Sequence, residues 1–144
     1  MSFIINGLDE FKRNLEERIK AAQKAAAAGL YAHANNVMTE AKELSPVDTG
    51  VMRGSGYVTI PEENSNPVVE VGFGGASEAY VVKQHEDQSL NHPDGGEAKF
   101  LEKALDRNKD KASELIGRFI KDALHDGKSA GMDKVHPPSP GGEK

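Results

Sequence analysis

Apolar or small residues recur through the first third of the chain at Leu8, Phe11, Leu15, Ile19, Ala22, Ala26, Leu30, Ala34, Val37, Ala41 and Leu44. Ten steps cover 36 positions, the 3.6-residue period of an α-helix. Asn6 is placed to cap the first turn, and Asp9 and Glu10 follow at the end of the helix that favours negative charge. Ser45, standing before Pro46, is pushed out of the helical region, so the pattern predicts a stop there. At 1.5 Å rise per residue, such a helix reaches about 55 Å. Gly29 interrupts the alanine-rich middle at a cost of about 1 kcal/mol relative to alanine, and is a place where the helix could kink or split, which the sequence leaves open. A helix this long outruns a small core. Ala21, Ala22 and the alanines at 25–28 would let a neighbouring subunit's helix approach closely; alternatively they face solvent, because alanine is also the best helix former.

After Pro46 the period changes. Residues 57–60 are β-branched and aromatic, and Val69, Val71 and Phe73 alternate within 67–73, so both segments are predicted strands. Residues 61–67, with prolines at both ends and Asn64, Ser65 and Asn66 between, form the expected hairpin loop. Residues 79–84 give a third expected strand after a turn at Gly74 and Gly75, and Phe3, Ile4 and Ile5 are candidates to pair at an edge. Residues 97–124 return to helical spacing, with Gly127 placed to end the helix. The predicted fold is α+β: a long N-terminal helix, a small antiparallel sheet of three to four strands, and a C-terminal helix. Both helices are expected on one face of the sheet. Residues 1–124 form the expected single domain. Residues 125–144 carry four glycines, three prolines and three lysines, too little apolar surface for a core, and are expected to be a flexible tail.

Composition narrows the function classes. A chain of 144 residues fits one domain. Apolar residues make up 37%, aromatics only 6%, and tryptophan is absent, so the core must be thin and assembly with other chains is favoured. A net charge of −5 argues against coating DNA, which needs a basic face. No run approaches the roughly 20 apolar residues of a membrane span, and the first residues lack the basic and apolar regions of a signal peptide. A soluble chain made in a cytoplasm is expected. Without cysteine there is no disulfide, thiol catalysis or thiolate metal site.

Two segments carry candidate chemistry. In Ser45-Pro46-Val47-Asp48-Thr49-Gly50-Val51-Met52-Arg53-Gly54-Ser55, Pro46 stops the helix, Asp48 can accept backbone N–H groups in an Asx-turn, and Gly50 can take positive φ. Arg53 then offers a planar, always-charged donor, either to an internal clasp or to a neighbouring subunit's carboxylate. The second segment places His85, Glu86, Asp87, His92 and Asp94 within ten residues, all possible metal ligands. Their spacing matches no helical H-E-x-x-H pattern, and on a continuing strand Glu86 would point away from His85 and Asp87. A polar contact loop is therefore the expected reading, with no metal or cofactor. The alternative from another class is a small metal-dependent hydrolase using His85, Glu86 and His92. Gly72-Phe73-Gly74-Gly75 lacks the lysine and helix of a phosphate loop, the serines lie in no nucleophile elbow, and His33 sits on the alanine-rich helix as a packed or surface residue. Lys99, Lys103, Arg107, Lys109 and Lys111 alternate with acidic residues, as on a solvated helix face.

The block from Ser45 to Ser55 resembles the S/T-P-V-D-T-G-x-L/M-R-x-S segment of the phage HK97 gp10-like family of small virion proteins. Gly7-Leu8-Asp9-Glu10-Phe11 is similar to the opening of that family's first helix. Val71-Gly72-Phe73-Gly74-Gly75 followed by Tyr80 through His85-Glu86-Asp87 is similar to its hairpin, and His92-Pro93, Gly96 and Ala98-Lys99-Phe100-Leu101 to the entry of its last helix. The likeness runs over residues 7–124; Val81 and Val82 depart from it, and residues after Ala123 have no counterpart. It implies a non-enzymatic structural protein of a tailed bacteriophage, a head-tail connector or tail-completion protein forming a homo-oligomeric ring, or alternatively a minor capsid protein. The partners implied are neighbouring connector and tail proteins, with DNA passing nearby unread and no membrane. The location implied is the head-tail junction of the virion, assembled in the host cytoplasm. The contact residues implied are Pro46, Asp48, Thr49, Gly50, Arg53, Tyr80, His85, Glu86 and His92.

Overall fold

The computed structural model describes residues 1–3, 6–46, 50–75, 78–90 and 95–126. Helix α1 runs unbroken from Leu8 to Leu44, and Ser45 leaves it in extended conformation at φ −70° and ψ 145°, as a residue before proline must. The helix begins after Gly7, not on an Asn6 cap, and no side chain caps it. The one-turn helix α2 (Val51–Gly54) follows, then strands β1 (Gly56–Val58) and β2 (Val71–Phe73). These pair antiparallel with Tyr57 opposite Gly72, and Thr59 N–H extends the ladder to Glu70 O at 2.9 Å. Helix α3 (Glu78–Glu86) and helix α4 (Phe100–Asn108) come next, and a 3-10 turn (Lys109–Lys111) links α4 to helix α5 (Ala112–Asp126).

The fold is α+β, with two corrections to the sequence reading. The sheet has two strands among the described residues, because 79–84 is helical. Val81 is buried and His85, one turn on, is half-buried, while Val82 and Lys83 are exposed. That is helical burial, and glutamate, alanine, lysine and glutamine around the two valines favour it. Ile4 and Ile5 of the proposed edge strand lie outside the described residues, and Phe3 is exposed. The C-terminal helix is two helices, starting at Phe100 and broken after Asn108. Asn108 is buried, and its Nδ2 donates to Ala104 O at 2.9 Å and to Glu40 Oε2 of α1 at 2.5 Å. Residues 125 and 126, assigned to the tail, belong to α5, and 127–144 lie outside the described residues.

Gly29 has a different role, in packing. It does not split α1; it is buried where α5 crosses, and a Cβ there would stand 2.9 Å from Ile116 Cα and 3.3 Å from Phe119 Cβ. The missing side chain brings two backbones together. Ala25, Ala27 and Ala28 are fully buried around it, so this small-residue stretch is covered by the chain's own α5. α4 and α5 thus return antiparallel along α1, Asn108 level with Glu40 and Ile116 level with Gly29. The last helices pack along α1 more than on the sheet, which rests on α1 and meets α4 through Phe73 and Phe100, ring centroids 5.2 Å apart. The apolar core joins Val37, Ala41, Met52, Val81, Phe100 and Ala104, with Phe100 fully buried at its centre.

Gly29→Ala is expected to lower stability by about 1–3 kcal/mol, the cost of overpacking a tight contact. Gly117→Ala, at an exposed helical position with nothing within 4 Å of its Cβ, is expected to raise it by about 0.5–1 kcal/mol. Urea midpoints of the two variants separate close approach from helix propensity.

His33 is buried on α1, and burial first, then the Lys111 cation, pushes its pKa below the ordinary 6.5. The unfolded chain therefore binds its proton more readily than the folded one. This contribution is fully present above about pH 6.5 and is lost as pH falls from there through the lower folded value. Thermal midpoints should drop between about pH 7 and 5, and His33→Gln should flatten that slope.

Candidate interaction site

Three segments distant in sequence meet where α1 stops. The Ser45 hydroxyl donates to Lys42 O at 2.8 Å and accepts from Arg53 Nε at 3.3 Å. Arg53 Nη2 donates to Ser45 O at 2.8 Å and to Glu43 O at 3.4 Å. The guanidinium thus covers the carbonyl end of α1, where the helix dipole favours a cation and a planar fork can reach several oxygens. α2 sets this geometry. It starts after Gly50, whose φ is 74° as the sequence predicts, and it places Met52 in the core and Arg53 over the helix end.

The second segment is the approach to α4. Gly96 has φ 99°, and a Cβ there would lie 2.4 Å from Pro46 Cα, so backbone passes directly over buried Pro46. Glu97 N–H then donates to Leu44 O at 2.9 Å, satisfying another carbonyl at the end of α1. Lys99, itself at φ 58°, donates its N–H to His85 O at 2.7 Å and so ties α4 to the third segment, the end of α3.

There the side chains form a charged clasp. His85 lies edge-on to Phe100 with centroids 4.9 Å apart, and its Nδ1 is 2.8 Å from Glu86 Oε1. Glu86 Oε2 accepts Lys99 Nζ at 2.5 Å. The Lys99 hydrogen bond first, then His85, holds the Glu86 carboxyl below the usual range, and Glu86 in turn raises Lys99. Glu97, bonded to Lys103 and 3.6 Å from Arg107, is lowered likewise, chiefly by Lys103. Arg107 also reaches Glu40 of α1 at 3.3 Å. Beside the clasp is an open notch of about 120 Å³ lined by Phe73, Val81, Val82, His85, Phe100 and Leu101, with Glu86 at its edge; it has the size and lining for one apolar side chain of a partner.

Of the sequence-predicted contact residues, Pro46, Gly50, Arg53, His85 and Glu86 are brought to this junction, and Tyr80 is half-buried against the core. Asp48, Thr49 and His92 lie outside the described residues, as does Asp94. Asp87 turns to Ser89, accepting its N–H at 3.0 Å and its hydroxyl at 2.6 Å. Among the described residues no three histidine or acidic side chains converge as metal ligands. Gly96, Lys99 and Phe100 were not picked out as site residues. Lys99, Lys103 and Arg107 look like a solvated face by spacing, yet they bridge to α3, to Glu97 and to α1.

The Ser45 block, the His85-Glu86 segment and the Gly96 to Phe100 segment, read separately as motifs, are therefore one structural junction. The description "Bacteriophage HK97-gp10, putative tail-component" matches residues 9–102, from the first turn of α1 into α4. The match covers well over half of the chain, and the chain belongs to this HK97-gp10-like family. The class is one of phage tail components, structural rather than enzymatic, which places the protein in the virion. No significant match was found among curated proteins or among solved structures. No helix among the described residues is long and apolar enough to cross a membrane.

Arg53→Ala is expected to cost about 1–2 kcal/mol by removing charge-assisted bonds to Ser45 and Glu43. Arg53→Lys should recover less than half, because an ammonium lacks the fork. Chemical denaturation of the two variants checks both statements.

Proposed function

We propose that the chain is a head-tail joining or tail-completion protein, one of several copies in a ring that connects the portal-side proteins of a filled head to the tail. The observation that carries this reading is the family match over residues 9–102. The shape supports it. A helix of about 55 Å gives reach between neighbours, and the β1–β2 hairpin presents Ile60 and Val68, each 70% exposed, at its open end. Isolated exposed apolar residues are ordinary on a surface, but here two stand together on the β1–β2 connection beyond the Thr59–Glu70 pairing. Head and tail proteins are the partners proposed, with the junction at residues 44–46 and 95–100 holding the contact surfaces in place. The net charge of −5 suits a wall past which DNA slides without sticking.

The test is electron microscopy of lysates from a phage carrying an early stop codon in this gene. Filled heads and finished tails lying unjoined are the expected result. Normally joined particles would overturn the connector role and favour a minor capsid position.

A further inference from the structure

The first thirteen residues of α1 stand clear of the other described residues. Every residue from 8 to 20 is exposed, and burial begins only at Ala21. The reason is geometric. α5 runs back along α1 past Gly29, which Phe119 touches, and seven further residues to Asp126 bring it to about the level of Ala22. Beyond that point α1 presents Leu8, Phe11, Leu15 and Ile19, exposed by 67, 62, 47 and 48%. Their spacing of three, four and four puts them on one face.

The occupant of that face is constrained by what the chain contains. Residues 127–144 follow directly from the end of α5, but Met132 and Val135 are their only large apolar residues, too few to cover four. A second copy of the same face supplies four. The polar flank of the stripe carries Asp9, Lys12, Glu16 and Lys20 on one side by helical spacing. Its charges read minus, plus, minus, plus, and read backwards they are inverted. Two antiparallel copies therefore pair Asp9 with Lys20 and Lys12 with Glu16, twice each. The same register sets Leu8 against Ile19 and Phe11 against Leu15. In an antiparallel pair like flanks face each other, so the two sets of pairings occur together.

The geometry points to a two-fold dimer of this chain, formed by antiparallel packing of the exposed N-terminal turns of α1. Such a contact is isologous, each copy offering the same surface. About 20 Å of helix buries on the order of 1,000 Å² in total, the lower edge of a specific interface, so micromolar association is expected. The dimer covers the stripe in the free chain before incorporation. It goes beyond the connector role and is tested apart from it: a monomeric chain still found in purified particles would overturn the dimer alone.

The experiment is sedimentation of the full chain with Lys12→Glu and Glu16→Lys variants, alone and mixed, helix content being followed by circular dichroism. Wild type is expected to dimerise, and each single variant to dissociate on the order of tenfold more readily because like charges now face each other. An equimolar mixture of the two should regain wild-type affinity as a heterodimer. Leu15→Glu, on an exposed position, should keep its helix content and lose association. A monomeric wild type, or variants that associate without regard to charge, would overturn the proposal.

Discussion

A helix of 37 residues is not covered along its whole length by the other described residues, and most of the architecture follows from that mismatch. The return path of α4 and α5 offers 24 helical residues, and the 3-10 turn adds three. Antiparallel return from the level of Glu40 therefore runs out near Ala22. The seam can close only because its α1 side is made of small residues, with Gly29 letting the backbone of α5 come within contact of its own. Close packing of small side chains gains dispersion energy but buries little apolar area per residue. The larger side chains of the core are gathered at the other end, around Phe100, where α1, α2, α3 and α4 meet.

At that end the residues of the Ser45 and Gly96 segments hold the chain together. Pro46 ends α1 and becomes the floor over which Gly96 passes; Arg53 and the Glu97 amide take up carbonyls that the helix leaves open; Lys99 holds the ends of α3 and α4 together. A segment of chain is fixed by each of these before it can present anything to a partner. The junction thus fixes where α2 and the hairpin leave the end of α1. The exposed apolar side chains, Ile60, Val68 and Leu15 among them, do nothing for the junction and stand free for the contacts proposed above.

The parts of this legible in the sequence are those governed by local rules. The 3.6 period of α1, its stop before Pro46, the positive φ of Gly50 and the hairpin loop at 61–67 depend on near neighbours and are as expected. What escaped depends on contacts across the chain. Tyr80-Val81-Val82 has strand-like composition, and only the burial of Val81 with His85 shows the helix. Gly29 carries the local signal of a weak point in a helix, and its real role is set by Ile116 and Phe119, some ninety positions on. The break after Asn108 answers to Glu40, 68 residues earlier. Arg53 was legible as a donor, but the choice between clasp and interface needed the helix end in view. In the described residues its guanidinium is engaged within the chain, at Ser45 and Glu43.

The distribution of side-chain size along α1 carries the last step of the argument. A helix serving only a monomer would place its largest apolar residues where its own chain covers them and polar ones where water does. Here the order is reversed: alanine and glycine line the stretch at 25–29 beneath α5, while leucine, phenylalanine and isoleucine line the stretch that α5 never reaches. Residues 8–20 also carry nine charged or amide side chains, enough to keep an isolated helix in solution, so the apolar stripe is not needed for the helix to exist. Its spacing continues the α1 period without interruption through Ala22 and Ala26 into the buried seam. Two contacts therefore lie in series along α1. The first is tight and made by small residues within the chain; the second is formed by large residues and left open to another chain.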